Sequence, residues 1–202
     1  MKTNLEMDWR ELLRILASLL GMADQRRLED ARFDVDAAAS PDDPVERRSY
    51  PVLTHFGDAL KLGANVSPVC VALERLASRL RWQQNPRYVG ADFLNGYAYC
   101  ELAGPEAPAQ HPEIALGLLL LGPRVTYPEH AHPAAEVYAV IAGHAQWRQG
   151  DRVWRPRVPG ERIHHASNEP HAMRTADEPL LAAYLWQDHL HEGARLLEGI
   201  AS

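Results

Sequence analysis

His130 and His132 stand one residue apart, and Glu136 follows four residues later, within the segment Gly122–Gly143, GPRVTYPEHAHPAAEVYAVIAG. Residues two apart on a strand share a face, so both imidazoles can aim at one point, and a strand starting at Glu136 could bring a carboxylate to the same place. Two imidazoles and a carboxylate form an N/O donor set. It suits Zn²⁺ or Fe²⁺ foremost, is compatible with Mn²⁺, Ni²⁺ and Co²⁺, and is poor for a soft ion such as Cu⁺. Two phenols flank the donors. Tyr127 lies three residues before His130, and Tyr138 lies two after Glu136, on the same strand face as that carboxylate. A nearby dication favours phenolate, which is a competent general base.

The segment Pro159–Thr175, PGERIHHASNEPHAMRT, offers three further imidazoles: His164, His165 and His171. The remaining histidines lack companions of this kind. His189 and His191 imitate a metal pair in DHLHEG, but no second motif surrounds them, and they read with His144 as surface residues. His55 falls in a predicted helix and His111 in a proline-flanked loop.

The elements that must position these groups divide the chain in two. Trp9, Leu12, Leu13, Leu16 and Leu20 repeat on one helix face. A short helix is expected over 23–32 and an acidic, proline-broken loop over 33–49. A helix is expected over 51–62 with Gly63 as its cap, then one with Ser67 as N-cap and Pro68 at its first position, burying Val69, Leu73, Leu76 and Leu80. Beyond Pro86, glycine and proline recur between short runs of β-branched and aromatic residues. Strands are predicted over 96–102, 114–121, 136–142, 145–148, 152–155, 172–175 and 180–187, with a turn at Gly150-Asp151, a pattern of sandwiches and barrels. The fold class is therefore α+β: an N-terminal helical subdomain over 1–85 and a β-barrel over 86–202.

Composition excludes several function classes. With 46% hydrophobic and 24% charged residues, the 202-residue chain can bury a core without staples. A net charge of −6 and the lack of any Lys/Arg-rich run argue against a nucleic-acid partner. Cys70 and Cys100 form no CxxC pair, and two free thiols suit a reducing compartment. The N-terminal apolar stretch is broken by Glu11 and Arg14, unlike a signal peptide, and no run reaches the roughly 18 residues of a membrane span. The expectation is a soluble, cytoplasmic protein.

The order His130-x-His132-x3-Glu136-x6-Gly143 resembles the first motif of the cupin superfamily, a double-stranded β-helix or jelly-roll barrel with one metal site. Seven residues separate Gly122 from His130 where five are usual. The resemblance implies one more histidine ligand after a Pro-x-Gly-type turn. His171, eleven residues after Gly160, matches that rhythm best, with His164 or His165 as the alternatives. Asn168 then stands where a glycine is expected and Thr175 where an asparagine is.

The pattern YxxHxHxxxExY, with the run EVYAVIAGHAQW, is similar to bacterial cupin-type lyases that cleave dimethylsulfoniopropionate. The specific motif covers about fifty residues, although the architecture of a helical extension before one barrel covers most of the chain. The resemblance implies a carbon–sulfur lyase, a zwitterionic small-molecule substrate, a metal held by His130, His132, Glu136 and His171, and Tyr138 as base with Tyr127 alongside. Aromatic faces attract onium cations, so Trp186 and Tyr184, on one face of a late strand, are candidate substrate-binding groups. Two other readings use the same residues. A cupin dioxygenase would share the ligands but has no need of a phenolate. A zinc cupin sensor would bind a partner through its helices, which could equally cap the barrel or build a homodimer interface.

Overall fold

The computed structural model describes residues 4–23, 28, 31–34, 50–64, 67–88 and 92–197. Helix α1 (Asn4–Leu20) buries Trp9, Leu12, Leu13, Leu16, Ala17 and Leu20, the predicted face. Each of its leucines contributes about 1.5–3 kcal/mol on leaving water. A 3-10 turn (Pro51–His55) leads into α2 (Phe56–Gly63), and α3 runs Pro68–Leu76 from an extended Ser67. Gly63 is not a cap. It is the last residue of α2, and a Cβ there would collide with Cys70 Sγ, so its role is close packing. Leu80 is buried beyond the end of α3. Of the helix expected over 23–32, residues 24–27, 29 and 30 lie outside the described residues, as do residues 35–49 of the loop.

Strands β1 (Arg32–Phe33), β2 (Trp82–Gln83), β3 (Tyr97–Gly104), β4 (Ala109–Gln110), β5 (Ile114–Leu121), β7 (Ala135–Ala142), β10 (Arg162–His165) and β12 (Leu180–Gln187) form one sheet. Its order is β1-β4-β3-β5-β12-β7-β10, with β2 on β3. Strands β6 (Thr126–Ala131), β8 (Ala145–Gln149), β9 (Arg155–Arg157), β11 (His171–Thr175) and β13 (Arg195–Leu196) form the second, in the order β13-β6-β11-β8-β9. The first sheet is the central layer. On its outer face Leu116, Leu118, Leu120, Ile141, Leu181 and Leu185 join the helices in one core cluster. On its inner face Leu119, Leu121, Tyr138, Val140 and Tyr184 meet Tyr127, Trp147 and Met173 of the second sheet. Burial on both faces explains why β5 reads IALGLLLL without polar alternation.

The helical half is tied down by polar contacts as well. Trp9 Nε1 donates to Leu102 O at 3.1 Å, and Arg162 on β10 donates to Leu19 O and Ser18 O, satisfying carbonyls at the end of α1. The short β1 and β2 belong to the large sheet although they fall before residue 86. The strand expected over 152–155 lies later, at Arg155–Arg157, while Gly150 adopts the left-handed φ of +51° that its turn requires. Among the described residues no helix is long and apolar enough to cross a membrane.

Candidate metal centre and pocket

His130 sits on β6, His132 just beyond its end, Glu136 on β7 and His171 at the head of β11, so both sheets contribute. All four are buried. Donor atoms of His132, Glu136 and His171 lie within 4.8 Å of one another. His132 Nε2 is 3.0 Å and His171 Nε2 3.3 Å from Glu136 Oε2. His130 lies outside that trio, although its ring centroid is 4.1 Å from that of His171.

The three imidazoles are oriented in the same way. Nδ1 of His130 lies 2.8 Å from Pro128 O, that of His132 2.9 Å from Ala134 O, and that of His171 2.9 Å from Glu169 O. A carbonyl only accepts, so each Nδ1 carries a proton, which leaves Nε2 as the nitrogen through which each ring can offer a lone pair to an ion. Two lone pairs aimed at a carboxylate oxygen repel unless a cation lies between them. His171 Nε2 is buried, and its approach to Glu136 is not aligned as a hydrogen bond. A divalent ion meets both conditions, and the donors suit one.

Glu136 is held from its other side. Trp186 Nε1 donates to Oε1 at 2.6 Å while the indole stacks on His132 at 4.2 Å. Burial pushes the Glu136 carboxyl up, but its contacts with His132 and His171 outweigh that and hold the group well below the usual carboxylate range. Burial pushes the His130 imidazole well below its ordinary value.

His164 is exposed, so the structure removes it from the cluster. The β10–β7 pairing sets His165 opposite Glu136, and its ring stacks on His171 at 3.9 Å, yet its nitrogens fall outside the donor trio. It packs behind a candidate ligand. Asn168 adopts φ +57°, the left-handed conformation expected where a glycine was anticipated. Thr175, at the expected asparagine, donates its hydroxyl to Gly122 O at 2.6 Å and accepts from Val125 N at 3.0 Å. It thereby ties the turn before β6 to β11.

A pocket of about 350 Å³ opens onto the cluster past His130 and Glu136. Tyr127, Tyr138, Tyr184 and Trp186 line it, together with Tyr97 and Tyr99 from β3. Tyr127 stacks on His130 at 4.0 Å, and its hydroxyl lies 2.8 Å from that of Tyr88, a buried partner with no cue in the sequence pattern. Without an ion at the cluster, burial and then the Glu136 charge push the Tyr138 phenol well above its ordinary value. His189 and His191 are exposed as expected, but His191 reaches the pocket mouth with Arg87 and Asn85. Glu101, on β3, is another lining group missed in the sequence.

Two facing sheets with an imidazole–carboxylate cluster between them define a cupin. A chain from the crystal structures of the DMSP lyases RdDddP and RnDddQII superposes with a TM-score of 0.66 at 25% identity, covering 94% of this chain and all of that one. DMSP lyase DddQ from Ruegeria pomeroyi superposes with a TM-score of 0.69 at 24% identity, covering 96% and 99%. The family model for dimethylsulfoniopropionate lyase matches residues 24–182, and the chain belongs to that family. It is 36% identical over 140 residues to DddL of Cereibacter sphaeroides, assigned as a dimethylsulfoniopropionate lyase, and 37% identical over 103 residues to Ruegeria pomeroyi DddQ. These alignments cover 67% and 50% of this chain, and 59% and 51% of the relatives' own lengths.

Proposed function

We propose that this chain cleaves dimethylsulfoniopropionate to dimethyl sulfide and acrylate by β-elimination. The observation that carries the reading is the convergence of His132, Glu136 and His171 on one point, reached through Glu136 from an aromatic-walled pocket, in a chain of this family. His132, Glu136 and His171 would hold a divalent ion, Zn²⁺ or Fe²⁺ foremost, with His130 beside them. When bound, that ion supplies a Lewis acid for the substrate carboxylate and a positive field that favours the Tyr138 phenolate.

Tyr138 takes the α-proton. The C–H electron pair becomes the C=C bond of acrylate, and the β-carbon–sulfur pair leaves on neutral dimethyl sulfide. Tyr127, stacked on His130 and hydrogen-bonded to Tyr88, holds the pocket wall beside the base. Trp186 fixes Glu136 through its indole N–H, and with Tyr184 presents aromatic surface to the sulfonium. The sensor reading gains no support, because the apolar face of α1 is buried inside this chain.

The test is headspace dimethyl sulfide from metal-loaded protein and dimethylsulfoniopropionate under nitrogen, with Tyr138→Phe alongside. Gas from the wild type, reduced about 10²- to 10⁴-fold in the variant, is the expected result. Equal gas from both removes Tyr138 from its role. No gas with any of several divalent ions sinks the lyase, and activity only with oxygen favours a dioxygenase.

A further inference from the structure

Glu101, Gly117, Tyr184 and Tyr138 form one cross-strand row over β3, β5, β12 and β7, pointing into the pocket. Adjacent strands lie about 4.8 Å apart, so Glu101 and Tyr138 stand about 14 Å apart along the backbone row, with a small molecule's length between their side chains. Gly117 makes this arrangement feasible. A Cβ there would meet Tyr184 Oη at 2.6 Å, so the missing side chain lets the Tyr184 ring lean across β5 toward β3. Gly104 likewise leaves the space in which the Glu101 carboxylate lies.

That carboxylate is unusual for its site. Among the described residues no hydrogen bond or ion pair engages it. The charge that acts on it is like-signed, from Glu106, while Arg87 at the mouth donates to Gly193 O. Burial, then Glu106, push its carboxyl up to about 7. Glu101 also lines the adjoining groove with Pro105, Leu190 and His191, so it stands where a ligand enters.

We propose that Glu101 is the counter-charge of an onium subsite, through which this pocket selects zwitterions with a sulfonium or quaternary ammonium head over neutral molecules of the same shape. The carboxylate end of such a ligand rests on the lyase reading, whereas the head-group end stands on Glu101 and the tyrosine faces around it. An incoming cation supplies the partner that the fold withholds, and the π faces of Tyr99 and Tyr184 reinforce it.

The test is calorimetric binding of 3-(trimethylammonio)propionate and of its carbon isostere, 4,4-dimethylpentanoate, to the full chain at pH 8. Wild type should favour the cation about tenfold or more, and Glu101→Gln should bring the two affinities within about twofold while leaving that of the isostere unchanged. A preference that survives in Glu101→Gln, or none in wild type, overturns the inference. If the glutamine variant does not fold, Glu101→Asp decides: a preference cut several-fold supports the role, and an unchanged one refutes it. Dimethyl sulfide release separates the two readings. No gas from wild type sinks the lyase while the affinity ratio still decides Glu101, whereas gas with an unchanged ratio sinks only Glu101.

Discussion

Replacing Trp186 with Phe isolates one hydrogen bond of the proposed metal centre. The phenyl ring keeps a face against His132, where the indole stacks at 4.2 Å, but Glu136 Oε1 loses its 2.6 Å donor. A hydrogen bond to an ionised carboxylate contributes about 1.5–3 kcal/mol, and losing such an outer partner typically weakens metal binding about 10- to 100-fold. That loss is about 1.4–2.7 kcal/mol. Competition for Zn²⁺ against a chromophoric chelator should therefore show a dissociation constant raised by one to two decades. With the ion in excess for both proteins, its thermal stabilisation should be about 3–10 °C smaller in the variant. Metal-free melts of the two proteins provide the baseline. A dissociation constant within twofold of wild type would refute the reasoning, because Glu136 would then be positioned without the indole.

Two further expectations follow from the Glu101–Gly117–Tyr184 row. In Gly117→Ala the new methyl meets the Cys100 carbonyl and the Tyr184 hydroxyl, so β3 and β5 must separate or Tyr184 must move. Chemical denaturation should register a loss of about 1–3 kcal/mol, and an unchanged midpoint would mean that the row yields more freely than backbone contact allows. The folded Glu101 carboxyl is raised from 4.5 to about 7, so its contribution to stability is present below pH 4.5 and is lost as pH rises through 7. Glu101→Gln should therefore be more stable than wild type at pH 8, by at most about 3 kcal/mol, and should gain nothing at pH 4. Equal melting temperatures at pH 8 would show that the carboxylate is stabilised by something other than a bound cation.

The parts of the site governed by local rules were legible in the sequence. Period-two alternation put Glu136 and Tyr138 on one face of β7, and the bounds of β5 and β12 followed from their unbroken apolar runs. Strand β6, which carries His130, has no strand signature in the sequence, because Pro128, Glu129 and His130 interrupt any apolar pattern; its extended shape comes from pairing with β11 and β13. Tyr88 and Glu101 left no signature either. Each acquires meaning only through distant partners, Tyr127 for one and the Gly117–Tyr184 row for the other. Gly63 read as a cap because a glycine at a helix end has two possible causes, and only the approach of Cys70 separates them.

The central layer also has a kinetic consequence. Strands β5 and β12 have neighbours on both edges and side chains buried on both faces, so their amides should exchange with solvent only through global opening. Trp186 hangs from this slow layer, with Glu136 and Tyr138 on the adjoining β7. The pocket mouth belongs to the opposite extreme. Leu190, His191, Gly193 and Ala194 lead into the two-residue β13, which among the described residues pairs only with the edge of β6. Local opening of that rim would cost far less than unfolding, so ligand can enter and leave while the reacting groups stay fixed.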